Sequence, residues 1–157
     1  LYKQLNVPYI FDPGQQITSF SKKQLAQIIK GSKVVIGNDY EIQLILNKLG
    51  VQQKRLQQLT DILVVTKGAK GDDIYQGNKL FRIPPARPKN TSDPTGAGDA
   101  FRAGFIKGLL ADYLLDKAGR LGNVVAVYTV EKYGTQTHRF SWKEIEKRYY
   151  QNFKEQL

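Results

Sequence analysis

The sequence has 157 residues, 41% hydrophobic and 24% charged, enough for one globular domain with a sizeable core and too few for two full domains. It holds no cysteine and a single histidine, which excludes disulfides, thiolate nucleophiles and a multi-histidine metal site; chemistry must come from carboxylates, hydroxyls, amines and backbone. The formal charge of +10 favours anionic partners, but the Lys and Arg residues are dispersed as on a solvated surface and form no dense basic arm.

In chain order, Val7–Phe11 is a short apolar run stopped by Asp12-Pro13-Gly14, and is predicted to be a buried strand. A helix capped by Ser21 follows, with Leu25, Ile28 and Ile29 on one face and Gly31 as its stop. Val34–Ile36 is the next strand. Asn38 opens a second helix with the stripe Ile42, Ile45, Leu46 and Leu49, ending at Gly50. Leu56 and Leu59 mark a short amphipathic helix before Ile62–Val65, the clearest buried strand, whose carboxyl end is Thr66. Alternation in 73–76 and 79–83 around Gly77-Asn78 predicts a two-residue β-hairpin, and Pro84, Pro85 and Pro88 a stiff connector. A helical pattern runs from Gly96 to about Leu115, the Val-rich segment 123–133 suits strand or helix equally, and Ser141–Glu144 is a capping box opening a last helix. Strands alternating with helices indicate parallel βαβ units, in which ligands bind beyond the carboxyl ends of the strands.

No run approaches the roughly 18 apolar residues of a membrane span, and Leu1–Leu5 lacks the apolar block of a secretory signal, so a cytoplasmic location without membrane partners is expected. Methionine is absent throughout, so the chain is expected to be part of a longer one.

The strongest chemical signal is Asn90 to Phe101. Gly96, Ala97 and Gly98 leave backbone amides unshielded at a helix start, where the dipole and unsatisfied N–H groups favour an anion such as phosphate. A carboxylate at Asp99 is unhelpful for binding an anion in the ground state, yet it is the group that takes a proton from an attacking hydroxyl while those amides hold a transferring phosphoryl. The competing interpretation is a plain turn with Asp99 interacting with the helix dipole. The loop is neither a P-loop nor a dinucleotide fingerprint, since it lacks Gly-Lys-Ser/Thr and the third glycine of G-x-G-x-x-G.

The string Asp93 to Asp99 resembles the carboxyl-terminal signature of the ribokinase-like, or PfkB, family of carbohydrate and nucleoside kinases. Asn38-Asp39-Tyr40-Glu41 resembles that family's N-x-x-E motif, Thr66 to Gly71 its T-x-G-x-x-G strand end, and Tyr133 to Gln136 its late Gly-Ala-Gln turn. Phe101 to Gly104 looks most like bacterial members of the adenosine kinase or sugar kinase type. The resemblance implies an α/β, three-layer ribokinase-like fold, with a mainly parallel sheet covered by helices plus a β-hairpin. Residues 1–157 would be its carboxyl-terminal nucleotide-binding and catalytic part, and the amino-terminal half and lid would lie outside the chain.

The same resemblance makes Asp99 the catalytic base and Gly96, Ala97 and Gly98 the anion hole for the γ-phosphoryl of ATP. Asn38 and Glu41 would organise magnesium through water, although the same pair also reads as a helix capping box. Thr66, Gly68, Gly71 and Asn123 would lie against the nucleotide; plain turns and, for Asn123, a helix cap after Gly122 are the alternatives. Asp93 and Thr95 would border a monovalent-cation site, potassium by analogy. Lys67 and Lys70 are left as solvated cations, Arg102 as an ion-pair partner of Asp99, and His138 without a role. The function implied is phosphoryl transfer to a hydroxymethyl group of a sugar or nucleoside such as adenosine or a ribose. The missing half is a structural partner and a homodimer a candidate assembly. Two rivals stand beside it: a non-catalytic basic module for nucleic acid, and a vitamin hydroxymethyl kinase of the same fold.

Overall fold

The computed structural model describes residues 7–157; the opening Leu1–Leu5, read above for its lack of an apolar block, lies outside that range. Two compact units are present, one comprising residues up to Gly68 together with Asp72–Phe81, the other Ala69–Gly71 with Arg82–Leu157.

The first unit runs β1 (Ile10–Phe11), a 3-10 turn, α1 (Lys22–Gly31), β2 (Val34–Asn38), α2 (Asp39–Leu49), α3 (Gln53–Gln57), β3 (Ile62–Thr66) and the hairpin β4 (Asp72–Gln76) and β5 (Lys79–Ile83), of which Arg82 and Ile83 belong to the second unit. Strand order is β1-β2-β3-β4-β5, with β1, β2 and β3 parallel and β4 antiparallel to β3. β1 is shorter than the predicted 7–11 because Pro8 has no N–H to give a ladder. Ser21 and Gln24 form a reciprocal capping box on α1. Its expected stop at Gly31 is realised differently: the N–H and hydroxyl of Ser32 both reach the Ile29 carbonyl, at 3.0 and 2.8 Å, so no left-handed glycine is required. α2 ends as predicted, on Gly50 at φ +65°.

Register aligns Phe11, Val35, Leu63 and Tyr75 in one row across the sheet. That row packs on Leu25 and Ile29 of α1, Ile42, Ile45, Leu46 and Leu49 of α2, and Leu56 of α3. The alternate residues Val34, Ile36, Ile62, Val64 and Ile74 are buried too, so neither strand face is open and the runs read as continuous apolar stretches.

The second unit contains α4 (Ala97–Leu110), α5 (Leu115–Val130) and α6 (Trp142–Phe153). The single helix predicted from Gly96 to about Leu115 is broken: Asp112 sits at φ +54° and the Tyr113 N–H turns back to the Gly108 carbonyl at 3.0 Å. The ambiguous segment 123–133 is helical through Val130, with Val124, Val125 and Val127 buried beside Leu121, Ile145 and Tyr149. α4 and α5 approach through glycines, since a β-carbon on Gly104 would stand 2.9 Å from the Gly122 Cα. Gly122→Ala places its methyl 2.8 Å from the Phe101 ring and 2.9 Å from the Phe101 carbonyl, and is expected to destabilise by about 1–3 kcal/mol. Urea unfolding checks this; a gain in stability, the usual result of Gly→Ala in an uncrowded helix, would contradict the close crossing.

Candidate functional site

The loop opening α4 is fixed by Asp93. Its carboxylate accepts the Thr95 N–H at 2.9 Å through one oxygen and the Gly134 N–H at 3.1 Å through the other, while the Ser92 and Asp93 amides both donate to the Val130 carbonyl. The motif at Asp93 and the late turn at Gly134 are thereby brought together, 41 residues apart in sequence. Gly96 then takes φ +83°, with Thr135 so close that a β-carbon would stand 3.2 Å from it. Glycine is required there by both conformation and space.

The start of α4 differs from those of α1, α2 and α6. Those three each carry a reciprocal capping box, from Ser21, Asn38 and Ser141. No side chain caps α4, because its N-cap is Gly96; α3 and α5, behind Gln52 and Leu114, also lack a side-chain cap, but only α4 opens on glycine. The Ala97 N–H donates to the Pro94 carbonyl at 3.1 Å; first-turn amides without an acceptor, at the positive end of a helix, are the donors an anion needs. Asp99 is the third residue of this helix, with its side chain 89% exposed and Arg102 Nη1 3.6 Å from Oδ1. An accessible carboxylate beside an uncapped anion cradle combines a proton acceptor with charge stabilisation.

In the first unit the carboxyl ends of β2 and β3 coincide, with Asn38 in register with Thr66 and Thr66 with Asp72. The Asn38 side chain accepts the Glu41 N–H and the Glu41 carboxylate accepts the Asn38 N–H, each at 2.8 Å, so the capping role of this pair is realised. Lys67 pairs with Asp73 at 2.9 Å, and Gly68 at φ +57° has open space where a β-carbon would be. The buried Asp72, the third member of the row, was not singled out from the sequence because it begins an alternating hairpin strand.

Gly71 and Asn123 belong to the second unit. A β-carbon on Gly71, at φ +83°, would stand 2.1 Å from the Ile83 carbonyl oxygen, so backbone crowding already demands this glycine. The helix-cap alternative for Asn123 is overturned: it lies inside α5, is buried, and donates to the Pro84 carbonyl at 3.1 Å. His138 contacts the Thr129 hydroxyl at 3.3 Å and stacks on Phe140. Sequence reasoning missed the ion pair of Glu131 and Arg148, which grips the connector to the loop: the Lys89 N–H donates to Glu131 and the Arg148 guanidinium reaches the Arg87 carbonyl. No local pattern signals it.

Three carboxyls of this unit titrate below their ordinary range. Hydrogen bonds from Thr95 and then Gly134 lower Asp93; burial would raise Glu131, but Arg148 and the Lys89 amide outweigh it; the Ser141 amide and hydroxyl lower Glu144. Because the unfolded chain binds protons to these groups first, their stabilisation is complete above the ordinary carboxylate pKa of about 4 and is lost as pH falls through the lower folded values. Thermal melts are therefore expected to be level in this respect from about pH 7 to 5 and to drop steadily below about pH 4. A melting temperature that holds to pH 3 would contradict the Asp93 and Glu131 bonding.

The profile of the pfkB family carbohydrate kinases matches residues 1–142. A nucleoside kinase of Methanocaldococcus jannaschii is 37% identical over 138 residues, covering 88% of this chain and 46% of that protein. One from Methanothermobacter thermautotrophicus is likewise 37% identical, over 140 residues, with 88% and 45% covered. Among solved structures, the Burkholderia thailandensis nucleoside kinase in complex with inosine superposes with a TM-score of 0.96 at 32% identity, over 99% of this chain and 51% of that one. The chain thus spans about half the length of the relatives it matches.

Proposed function

The chain belongs to the pfkB family of carbohydrate kinases, and from that premise we propose that it is the nucleotide-binding and catalytic part of an ATP-dependent phosphotransferase acting on a hydroxymethyl group of a nucleoside or sugar. The observation that carries this reading is the uncapped glycine start of α4 with the exposed Asp99 carboxylate on its first turn. A nucleoside acceptor, adenosine or another ribonucleoside, is favoured because the M. jannaschii and M. thermautotrophicus relatives are nucleoside kinases.

Bound ATP supplies the transferable phosphoryl and its leaving oxygen. Asp99 accepts the proton as the acceptor's O–H bond breaks and its oxygen bonds the γ-phosphorus, while the bond from that phosphorus to the bridging oxygen breaks and ADP departs. The amides of Gly96 and Gly98 hold the equatorial oxygens, and that of Ala97 joins them on leaving the Pro94 carbonyl, to which it donates at 3.1 Å. The residues fit the group, since the cradle presents backbone donors without a capping side chain.

For the first unit, the proposal assigns Thr66 and Gly68 to the nucleotide, and Asn38 and Glu41 to magnesium reached through water. Magnesium would be carried mainly by phosphate oxygens and water. For the second unit, Gly71 and Asn123 serve the nucleotide, and Asp93 and Thr95 border a monovalent cation such as potassium. The missing half of the same protein completes acceptor binding.

The test is phosphoryl transfer from ATP by the full-length protein to adenosine, inosine, cytidine and ribose, with magnesium, and with potassium or sodium. Transfer to a nucleoside supports the proposal. No transfer to any acceptor, with salt-resistant binding to nucleic acid at about 0.15 M, would favour the basic-module alternative; transfer only to a vitamin alcohol would favour the other.

A further inference from the structure

Besides the Gly134 amide that holds Asp93, the late turn at 133–136 meets the glycine loop at a second point, within the same unit. Thr135 stands where a side chain of Gly96 would project: a β-carbon on Gly96 would lie 3.2 Å from the Thr135 Cβ, 3.3 Å from its methyl and 3.4 Å from its Cα. The turn is itself braced. The Thr137 hydroxyl donates to the Tyr133 carbonyl at 2.6 Å and reaches the Gly134 carbonyl at 3.4 Å, while the Ser92 hydroxyl and the Ser92 and Asp93 amides donate to the Glu131 and Val130 carbonyls just before it. Gly96 has no such restraint of its own. Its carbonyl is tied into α4 by the Ala100 N–H at 3.0 Å, so φ is the torsion left to aim its own N–H, and glycine populates positive and negative φ about equally readily.

We propose that Thr135 is a positioning residue for phosphoryl transfer: its β-carbon and methyl hold Gly96 at φ +83° and so keep the first amide of the cradle aimed at the transferring group. The inference rests on the kinase reading and adds to it a residue that acts through Gly96 and not on substrate. Donors aimed before the reaction begins stabilise developing charge without reorganisation, and a displacement of about 1 Å at such a site costs about 10²-fold in rate. Thr135 is an exposed residue, so its contact adds little to the buried core and its consequence falls on the conformation of Gly96.

The experiment measures steady-state phosphoryl transfer, ADP binding by calorimetry and a melting curve for the full-length protein and its Thr135→Gly, Thr135→Ala and Thr135→Val variants. Thr135→Gly removes both the β-carbon and the methyl, and is expected to lower kcat by about 10- to 100-fold, with the KM values for ATP and acceptor and the affinity for ADP each changed less than about twofold. Thr135→Ala keeps the β-carbon and should fall between Thr135→Gly and wild type. Thr135→Val keeps both carbons and gives up only the hydroxyl, so it should turn over close to wild type. A Thr135→Val as slow as Thr135→Gly would assign the effect to the hydroxyl and overturn the inference. So would a Thr135→Gly whose loss lies wholly in the KM for ATP, as for a binding contact, or one that loses only melting temperature, as for a merely structural residue. If the wild type transfers phosphoryl while Thr135→Gly keeps its kcat, Thr135 alone is misassigned; a wild type that transfers none overturns the kinase reading itself.

Discussion

Asp99→Asn is expected to lower turnover of the full-length enzyme by about 10² to 10⁴ while ATP affinity and the melting temperature stay close to wild type. Asparagine keeps the size of the side chain and can still hydrogen-bond, but it cannot take the acceptor's proton. Folding should be spared because the Asp99 side chain is 89% exposed and its ion pair with Arg102 is long, at 3.6 Å. The helix dipole argument predicts a different pattern, in which loss of the first-turn charge costs a few tenths of a kcal/mol of stability, about 0.3–1, and leaves catalysis alone. Steady-state phosphoryl transfer, calorimetry and a melting curve on one preparation separate the two. Wild-type turnover in Asp99→Asn would reduce this residue to a dipole partner.

The largest structural effect is expected at Arg148. Its side chain is 6% exposed, Nη1 donates to Glu131 Oε2 at 2.8 Å, Nη2 donates to the other Glu131 oxygen, and the guanidinium lies 4.8 Å over the Tyr128 ring. Arg148→Met leaves Glu131 charged in a largely enclosed place, with the Lys89 amide and the Lys89 charge to answer it among the described residues. Removing one partner of such a pair costs about 3–5 kcal/mol, a large share of the 5–15 kcal/mol by which domains are stable. Glu131→Leu should cost about as much. The double replacement should cost clearly less than the sum, since no uncompensated charge remains, and denaturant unfolding of all four proteins measures that coupling. Single variants costing less than about 1 kcal/mol would show the pair to be no stronger than a surface bridge. The connector it grips leads directly into Ser92 and Asp93, so losing the clamp should also loosen the loop and weaken nucleotide binding.

Much of the fold and of the candidate site was legible in the sequence because the determinants are local. Ser21, Asn38 and Ser141 cap helices with partners three residues on, and Gly50 closes α2 in a left-handed turn. Ile62–Val65 reads as a strand because both its faces are buried. The anion loop was visible in Gly96 to Asp99 for the same reason: unshielded amides and a carboxylate on one helix turn need no distant residue to be recognised. Only the tertiary structure decided that Asn123 sits inside a helix and holds the Pro84 carbonyl, that α4 breaks at Asp112, and that Asp93 is bridged to Gly134. It also decided the grip of Arg148 on the connector and the place of Arg102 over Gly98. Periodicity and capping report how a residue interacts within about one helical turn, whereas these features depend on which backbone donors and carbonyls packing brings within hydrogen-bond reach, and that is set by the close α4–α5 crossing and the buried ion pair rather than by any local pattern.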